Sequence, residues 1–114
     1  MFELNKILEK NISVCASTVR IPVPYCHTEN IYVKFSKNVN FENILSKLYT
    51  DYLKIEKNDC NLKDITDTNL THICRLRKFT ENEIIFFIIA DNIRRGAAYN
   101  AVKIAQYIIT NLLT

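Results

Sequence analysis

The sequence is poor in glycine, proline and tryptophan: one glycine, two prolines and no tryptophan in 114 residues. A single glycine excludes a glycine-rich phosphate-binding turn of the G-x-G-x-x-G kind. Apolar runs are short. The longest, IIFFIIA at 84–90, has strand length and falls well below the ~18 residues of a membrane span. The opening MFELNKILEK carries charges throughout and lacks the apolar stretch of a secretion signal. Charge of one sign is scarce as well. The net value of +3 is scattered, which argues against a nucleic-acid surface. Four cysteines, Cys15, Cys26, Cys60 and Cys74, show no C-x-x-C spacing, so no structural zinc is expected. The expectation is a cytoplasmic protein with no metal, membrane or nucleic-acid partner, whose thiols stay unpaired.

What is present is an ordinary globular composition, 48% apolar and 24% charged, enough for one domain with a modest core. Residues 2–10 combine helix formers with apolar positions 4, 7 and 8 and predict a short helix. Residues 12–21, ISVCASTVRI, alternate and predict a strand. Pro22 and Pro24 cannot donate to a ladder, so that strand leaves the sheet there or runs along an edge. A second strand is expected over 29–37, with Ile31, Val33 and Phe35 on one face and Tyr32 and Lys34 on the other. Helical spacing returns over 40–53, with apolar positions 41, 44, 45, 48, 49, 52 and 53 and Asn40 as cap. Residues 56–69 are polar and irregular and predict a long loop. Residues 70–79 and 83–90 predict two strands joined by the turn TEN, the second central and covered on both faces. A long amphipathic helix follows over 93–113, capped by Asp91 or Asn92. The order α-β-β-α-β-β-α predicts an α+β layer fold, a mixed or antiparallel sheet with helices packed on it.

Three clusters could carry chemistry. Glu3 and Lys6 share a helix face, either as a surface ion pair or as a paired acid and base gripping a zwitterionic or phosphorylated ligand. Arg20 and His27 flank the stiff segment IPVPYC. Arginine offers a planar fork suited to carboxylate or phosphate, and histidine exchanges protons near neutral pH. The plainer alternative is a snorkelling arginine and a satisfied loop histidine. Third, Gly96 sits inside a helical pattern, where it costs ~1 kcal/mol relative to alanine. It shares a face with Asn100, four residues on. Either the pair leaves room for a ligand at the helix backbone, or the glycine serves close packing. Arg94 and Arg95 read as solvated, or as lying at a subunit edge.

Together these clusters resemble one family. VRIPVPYCHTE, residues 19–29, is similar to the segment V-R-(I/V)-P-V-x-x-x-H-(S/T)-E of aspartate-semialdehyde dehydrogenases. DNIRRGAAYNAVKIA, 91–105, is similar to their final helix D-N-(L/I)-x-(K/R)-G-A-A-x-N-(A/S)-V-x-I-A. ELNKI at 3–7 resembles their E-x-x-K-I, and RLRK at 75–78 with the strand after it resembles G-R-(I/L)-R and its successor. The likeness runs in order over essentially the whole chain, which corresponds to about the last third of such an enzyme.

The resemblance implies a fold, a reaction and roles. The fold would be the catalytic and dimerisation domain, of the type found in glyceraldehyde-3-phosphate dehydrogenase, over residues 1–92. Residues 93–114 would form the helix that returns to an NADP-binding domain absent from this chain. Arg20 would bind the substrate carboxylate, Glu3 its amino group and Lys6 the acyl phosphate. His27 would be the acid/base partner of a cysteine nucleophile, and Asn100 and Gly96 would lie at the nicotinamide end of NADP. The reaction would be reductive dephosphorylation of β-aspartyl phosphate to aspartate semialdehyde through a thioacyl-enzyme, with release of phosphate, serving lysine, threonine and methionine biosynthesis. The implied partners are a complementary N-terminal chain and a second copy of this one.

Departures limit this reading. No counterpart of the family's S-N-P-x-C nucleophile segment is present, and Cys26 is a poor substitute, because neighbours on an extended chain point to opposite sides. Thr18 stands where the family often has cysteine, and Cys74 replaces the glycine of G-R-(I/L)-R. The loop 56–69 lacks the family's prolines and glycine. The chain alone is therefore expected to be inactive. A non-catalytic binding or assembly domain, or a decayed remnant of the enzyme, remain as alternatives.

Overall fold

A computed structural model describes residues 2–48, 50–57 and 59–113. Helix α1 spans Phe2–Leu8 and stops where Glu9 turns to a positive φ of 50°. The Asn5 side chain accepts from the Ile12 amide at 3.0 Å, so α1 also anchors the chain that leaves it. Residues 11–26 form no strand, and nearly all are exposed, which corrects the strand expected over 12–21. Alternation specifies a chain able to enter a sheet, but pairing needs a neighbour with free backbone groups, and none of the strands accepts this segment.

Strand β1, His27–Lys34, opens the sheet two residues earlier than expected, and its inward and outward residues alternate from Ile31 as the sequence predicts. Helix α2 covers only Phe41–Lys47. Its Asn40 cap accepts from the Asn43 amide at 3.1 Å, as expected. The remainder of the predicted helix does not continue it. Leu53 belongs to a short strand β2, Leu53–Ile55, and position 49 lies outside the described residues. Thr50 bridges to Leu53 instead, so the chain turns back through TDY. The long loop contains a short helix α3, Leu62–Ile65, capped by Asn61, whose side chain accepts from the Lys63 amide at 3.1 Å.

Strands β3, Thr71–Thr80, and β4, Glu83–Ala90, form the predicted hairpin. The sheet order is β1-β4-β3-β2, antiparallel except for the parallel pair β2 and β3. β4 is central, as the apolar run IIFFIIA requires, yet residues 85–88 are only half-buried. The core is small. Ile65 of α3 packs with Cys74 and Ile89, and Cys26, Cys60, Leu62 and Phe87 close around them. The expectation of unpaired thiols fails for two of the four. Cys60 and Cys74 form a disulfide, with Cα atoms 6.0 Å apart. Only the fold shows why, since α3 returns the loop onto β3.

Glu83, at the hairpin end, is 7% exposed. It accepts from Thr80 and Tyr32 hydroxyls and pairs with Lys34 at 3.0 Å. These donors, Thr80 first, hold its carboxyl down to about 2, while the same carboxylate raises the Tyr32 hydroxyl. A carboxyl depressed in the folded state contributes stability that is present above its ordinary value of 4.5 and is lost as pH falls toward 2. Thermal unfolding followed by circular dichroism should therefore show the melting temperature dropping across that window. In Glu83→Gln the slope should be shallower; an unchanged slope would refute the contribution.

After Asp91 the chain runs through a π-helical stretch, Arg94–Ala98, into α4, Tyr99–Leu112. Asp91 is the cap, as expected. Its Oδ1 accepts from the Ile93 and Arg94 amides at 2.9 and 3.1 Å. Its Oδ2 accepts from the Asp67 amide at 3.0 Å, so one 2%-exposed carboxylate ties the loop after α3 to the start of the last helix. These amides, Asp67 first, hold the Asp91 carboxyl below its usual range. No residue of α4 is buried.

Candidate functional site

The middle of the Arg20–His27 segment is exposed and borders two clefts. Val23, Pro24 and Tyr25 line one groove with the stretch from Cys60 to Lys63. Tyr25 also borders a second cavity, shared with Asp91 and with Ala98 and Tyr99 at the start of α4. The stiffness inferred from the prolines is reinforced by a tight turn, in which the Val23 amide donates to the Ile21 carbonyl at 2.9 Å. His27 then enters β1 opposite Ala90, the residue before Asp91. The sheet thus sets the histidine beside the origin of the helix that carries Gly96 and Asn100.

The six candidate residues lie on the surface: Glu3, Lys6, Arg20, His27, Gly96 and Asn100 are all exposed. No side chain of these six is hydrogen-bonded or ion-paired to another of them. Glu3 and Lys6 do not form the surface ion pair that was the plainer reading. Arg20 has no ionic partner among the described residues. The His27 side chain is 68% exposed, and its Nε2 lies 3.0 Å from Glu29 Oε1. With Nε2–H donating to that carboxylate, Nδ1 is left as the free acceptor. Glu29 was visible as the last residue of VRIPVPYCHTE, but spacing alone gave it no role. Two residues apart on a strand, the two side chains share a face, which is the signal that identifies the pair.

Gly96 lies in the π-helical stretch, and a Cβ built there would meet nothing within 4 Å. Close packing therefore does not account for it within the described residues. The arginines beside it are engaged rather than simply solvated. Arg94 donates twice to Asp67 Oδ1, at 3.2 and 3.0 Å, and the Arg95 guanidinium stacks 5.1 Å above the Tyr52 ring. The Cys26 side chain packs against the buried cluster while His27 is exposed, as expected, but the cause is a left-handed φ of 74° at Cys26 rather than the alternation of an extended chain. No helix among the described residues is long and apolar enough to cross a membrane.

A mixed four-stranded sheet with helices, the last of which has no buried residue, defines an α+β domain. Comparison with known proteins identifies which kind. The semialdehyde dehydrogenase dimerisation domain matches residues 2–95, and the chain belongs to the aspartate-semialdehyde dehydrogenase family. It is 39% identical over 113 residues to the aspartate-semialdehyde dehydrogenase of Campylobacter jejuni, a match covering 91% of this chain and 33% of that enzyme. With the Aquifex aeolicus enzyme it shares 32% identity over 96% of this chain and 35% of the relative. The crystal structure of aspartate semialdehyde dehydrogenase II from Vibrio cholerae, complexed with ASA, superposes with a TM-score of 0.87. That match has 28% identity and covers 97% of this chain and 35% of that one. The chain thus spans about a third of the length of the curated relatives it matches, corresponding to their C-terminal part.

Proposed function

We propose that this chain supplies the substrate-binding and acid/base half of an aspartate-semialdehyde dehydrogenase, with the cofactor domain and the cysteine nucleophile coming from outside these 114 residues. The observation that carries the reading is the ordered set ELNKI, VRIPVPYCHTE and DNIRRGAAYNAV, on a chain of this fold. Arg20 holds the substrate carboxylate through its two-pronged fork, and Glu3 holds the ammonium group. Lys6 faces the phosphate as a point charge. His27 takes the proton from the attacking thiol and returns it to the sulfur when the aldehyde leaves, with Glu29 orienting its ring. The open space at Gly96 and the exposed amide of Asn100 fit a planar ring approaching the last helix from outside, so these two residues would hold the nicotinamide end. The cofactor, bound as NADPH, would supply the hydride that reduces the acyl group. The last helix, α4, reaches back toward the domain that holds the rest of that cofactor, and the sheet forms a contact between two copies.

The test is an NADP-linked assay with aspartate semialdehyde and phosphate. The chain alone should show no turnover. Added to a chain carrying the cofactor domain and an S-N-P-x-C segment, it should restore activity by several orders of magnitude over either part. Activity of the 114 residues alone that disappears in Cys26→Ser would move the nucleophile to Cys26. A tight but inactive complex would favour the non-catalytic assembly domain.

A further inference from the structure

Cys26 stands immediately before His27 with a φ of 74°, in the left-handed region where a residue bearing a Cβ is uncommon. Glycine would suit that backbone at no steric cost. A cysteine stands there instead, and its side chain is put to use. The thiol donates toward the Leu62 carbonyl at 3.9 Å and lies 3.7 Å from Thr66 Oγ1. The same side chain packs against the cluster of Ile65, Cys74 and Ile89. Its support is itself fixed. The Cys60–Cys74 disulfide joins the residue before the Asn61 cap to β3, and Ile65 at the far end of α3 is 2% exposed. At Cys26 an unpaired segment therefore turns into β1 with one side chain pinned inward and the next, His27, directed outward.

We propose that Cys26 is a positioning residue for His27. Its anchored thiol and left-handed backbone set the point and direction at which the histidine leaves the core. The functional half of this proposal rests on His27 being the proton carrier; the geometric half does not. The anchor works through weak sulfur contacts, yet a shift of about 1 Å in an acid/base group is enough to lower turnover by ~10-fold or more.

Three variants separate the contributions. Cys26→Ala keeps the Cβ and loses the anchor, Cys26→Ser keeps a hydroxyl donor of similar shape, and Cys26→Gly relieves the backbone in case the alanine variant fails to fold. The first readout needs no activity. Amide exchange of residues 26–30, followed by mass spectrometry on the 114-residue chain, should accelerate about 10-fold in the alanine and glycine variants. It should stay within about 3-fold of the parent in Cys26→Ser, and exchange in β3 and β4 should be unchanged throughout. The second readout is kinetic, in the complemented enzyme. The alanine variant should lose ~10-fold or more in kcat with KM nearly unchanged, and serine should recover most of it. A merely structural role would lower the melting temperature and leave kcat per folded enzyme intact. Unchanged exchange at 26–30 overturns the proposal whether or not the complex is active. Faster exchange in a chain that no partner activates supports the geometry and counts against the dehydrogenase reading instead.

Discussion

Replacing His27 by asparagine in the complemented enzyme should lower turnover by ~100-fold or more and leave substrate affinity nearly unchanged. Asparagine has similar bulk near the backbone and can still donate to Glu29, so β1 and its pairing with Ala90 should persist. What it loses is the ability to gain and release a proton near neutral pH. The step affected is one in which charge moves, so the loss falls on kcat. Arg20→Lys should behave differently. Lysine keeps the positive charge and gives up the bidentate fork, which puts about 1–3 kcal/mol of substrate and transition-state binding at risk. Arg20 is exposed and has no ionic partner among the described residues, so no packing loss is mixed into that figure. Steady-state kinetics on both variants decides the matter. A kcat effect for His27→Asn with a KM-dominated effect for Arg20→Lys supports the division of labour. The same pattern in both would refute it.

The parts of this fold that were legible in the sequence are those whose partners lie close along the chain. The β3–β4 hairpin needs only the short turn TEN between two strand-forming segments, of which β4 is the apolar run, and both strands appear within a residue of the bounds read. The Asn40 and Asp91 caps are local too, because a cap binds amides two or three residues away. Errors begin where the partner is distant. Residues 12–21 alternate well enough for a strand, but alternation does not reveal that no strand among the described residues takes them up. β2 has three residues and exists only because β3 lies beside it. α3 is one turn long, too short for a period, yet it delivers Ile65, among the most buried side chains of the molecule. The Cys60–Cys74 pair depends on α3 and was unreadable for the same reason. The candidate site divides in the same way. Its residue types were visible because each belongs to a distinctive local segment. The Glu29 contact and the inward anchor of Cys26 depend on strand geometry and on α3.

The 114-residue chain by itself should be a dimer or larger at micromolar concentration. Its accessible surface is 9409 Å². A compact monomer of 13.3 kDa would expose roughly 6,450 Å² by the usual scaling of surface with mass. The Cα radius of gyration is 16.0 Å, against about 13.3 Å for a compact domain of this length. The excess, on the order of 3,000 Å², exceeds the ~800 Å² that one partner buries in an interface of standard size. Two parts of the chain carry much of it. Segment 11–26 exposes Val19, Ile21 and Tyr25; Ile93 is exposed just before the π-helical stretch, and α4 exposes Ile104, Ile108 and Leu112. Those three α4 residues, four apart, form the apolar stripe of an amphipathic helix, a face that in a finished protein rests on something. Around it, Val102, Ile109 and Leu113 are also more than half exposed. Contiguous apolar surface of this kind drives association in water. Sedimentation velocity with apolar-dye binding is the check. The expected result is a dimer or larger species whose dye signal falls when the chain carrying the cofactor domain is added, because that chain covers the helix stripe. A monomer with no dye binding would mean that the last helix and segment 11–26 fold back onto the sheet. The molecule would then be a self-sufficient binding domain rather than one part of a larger enzyme.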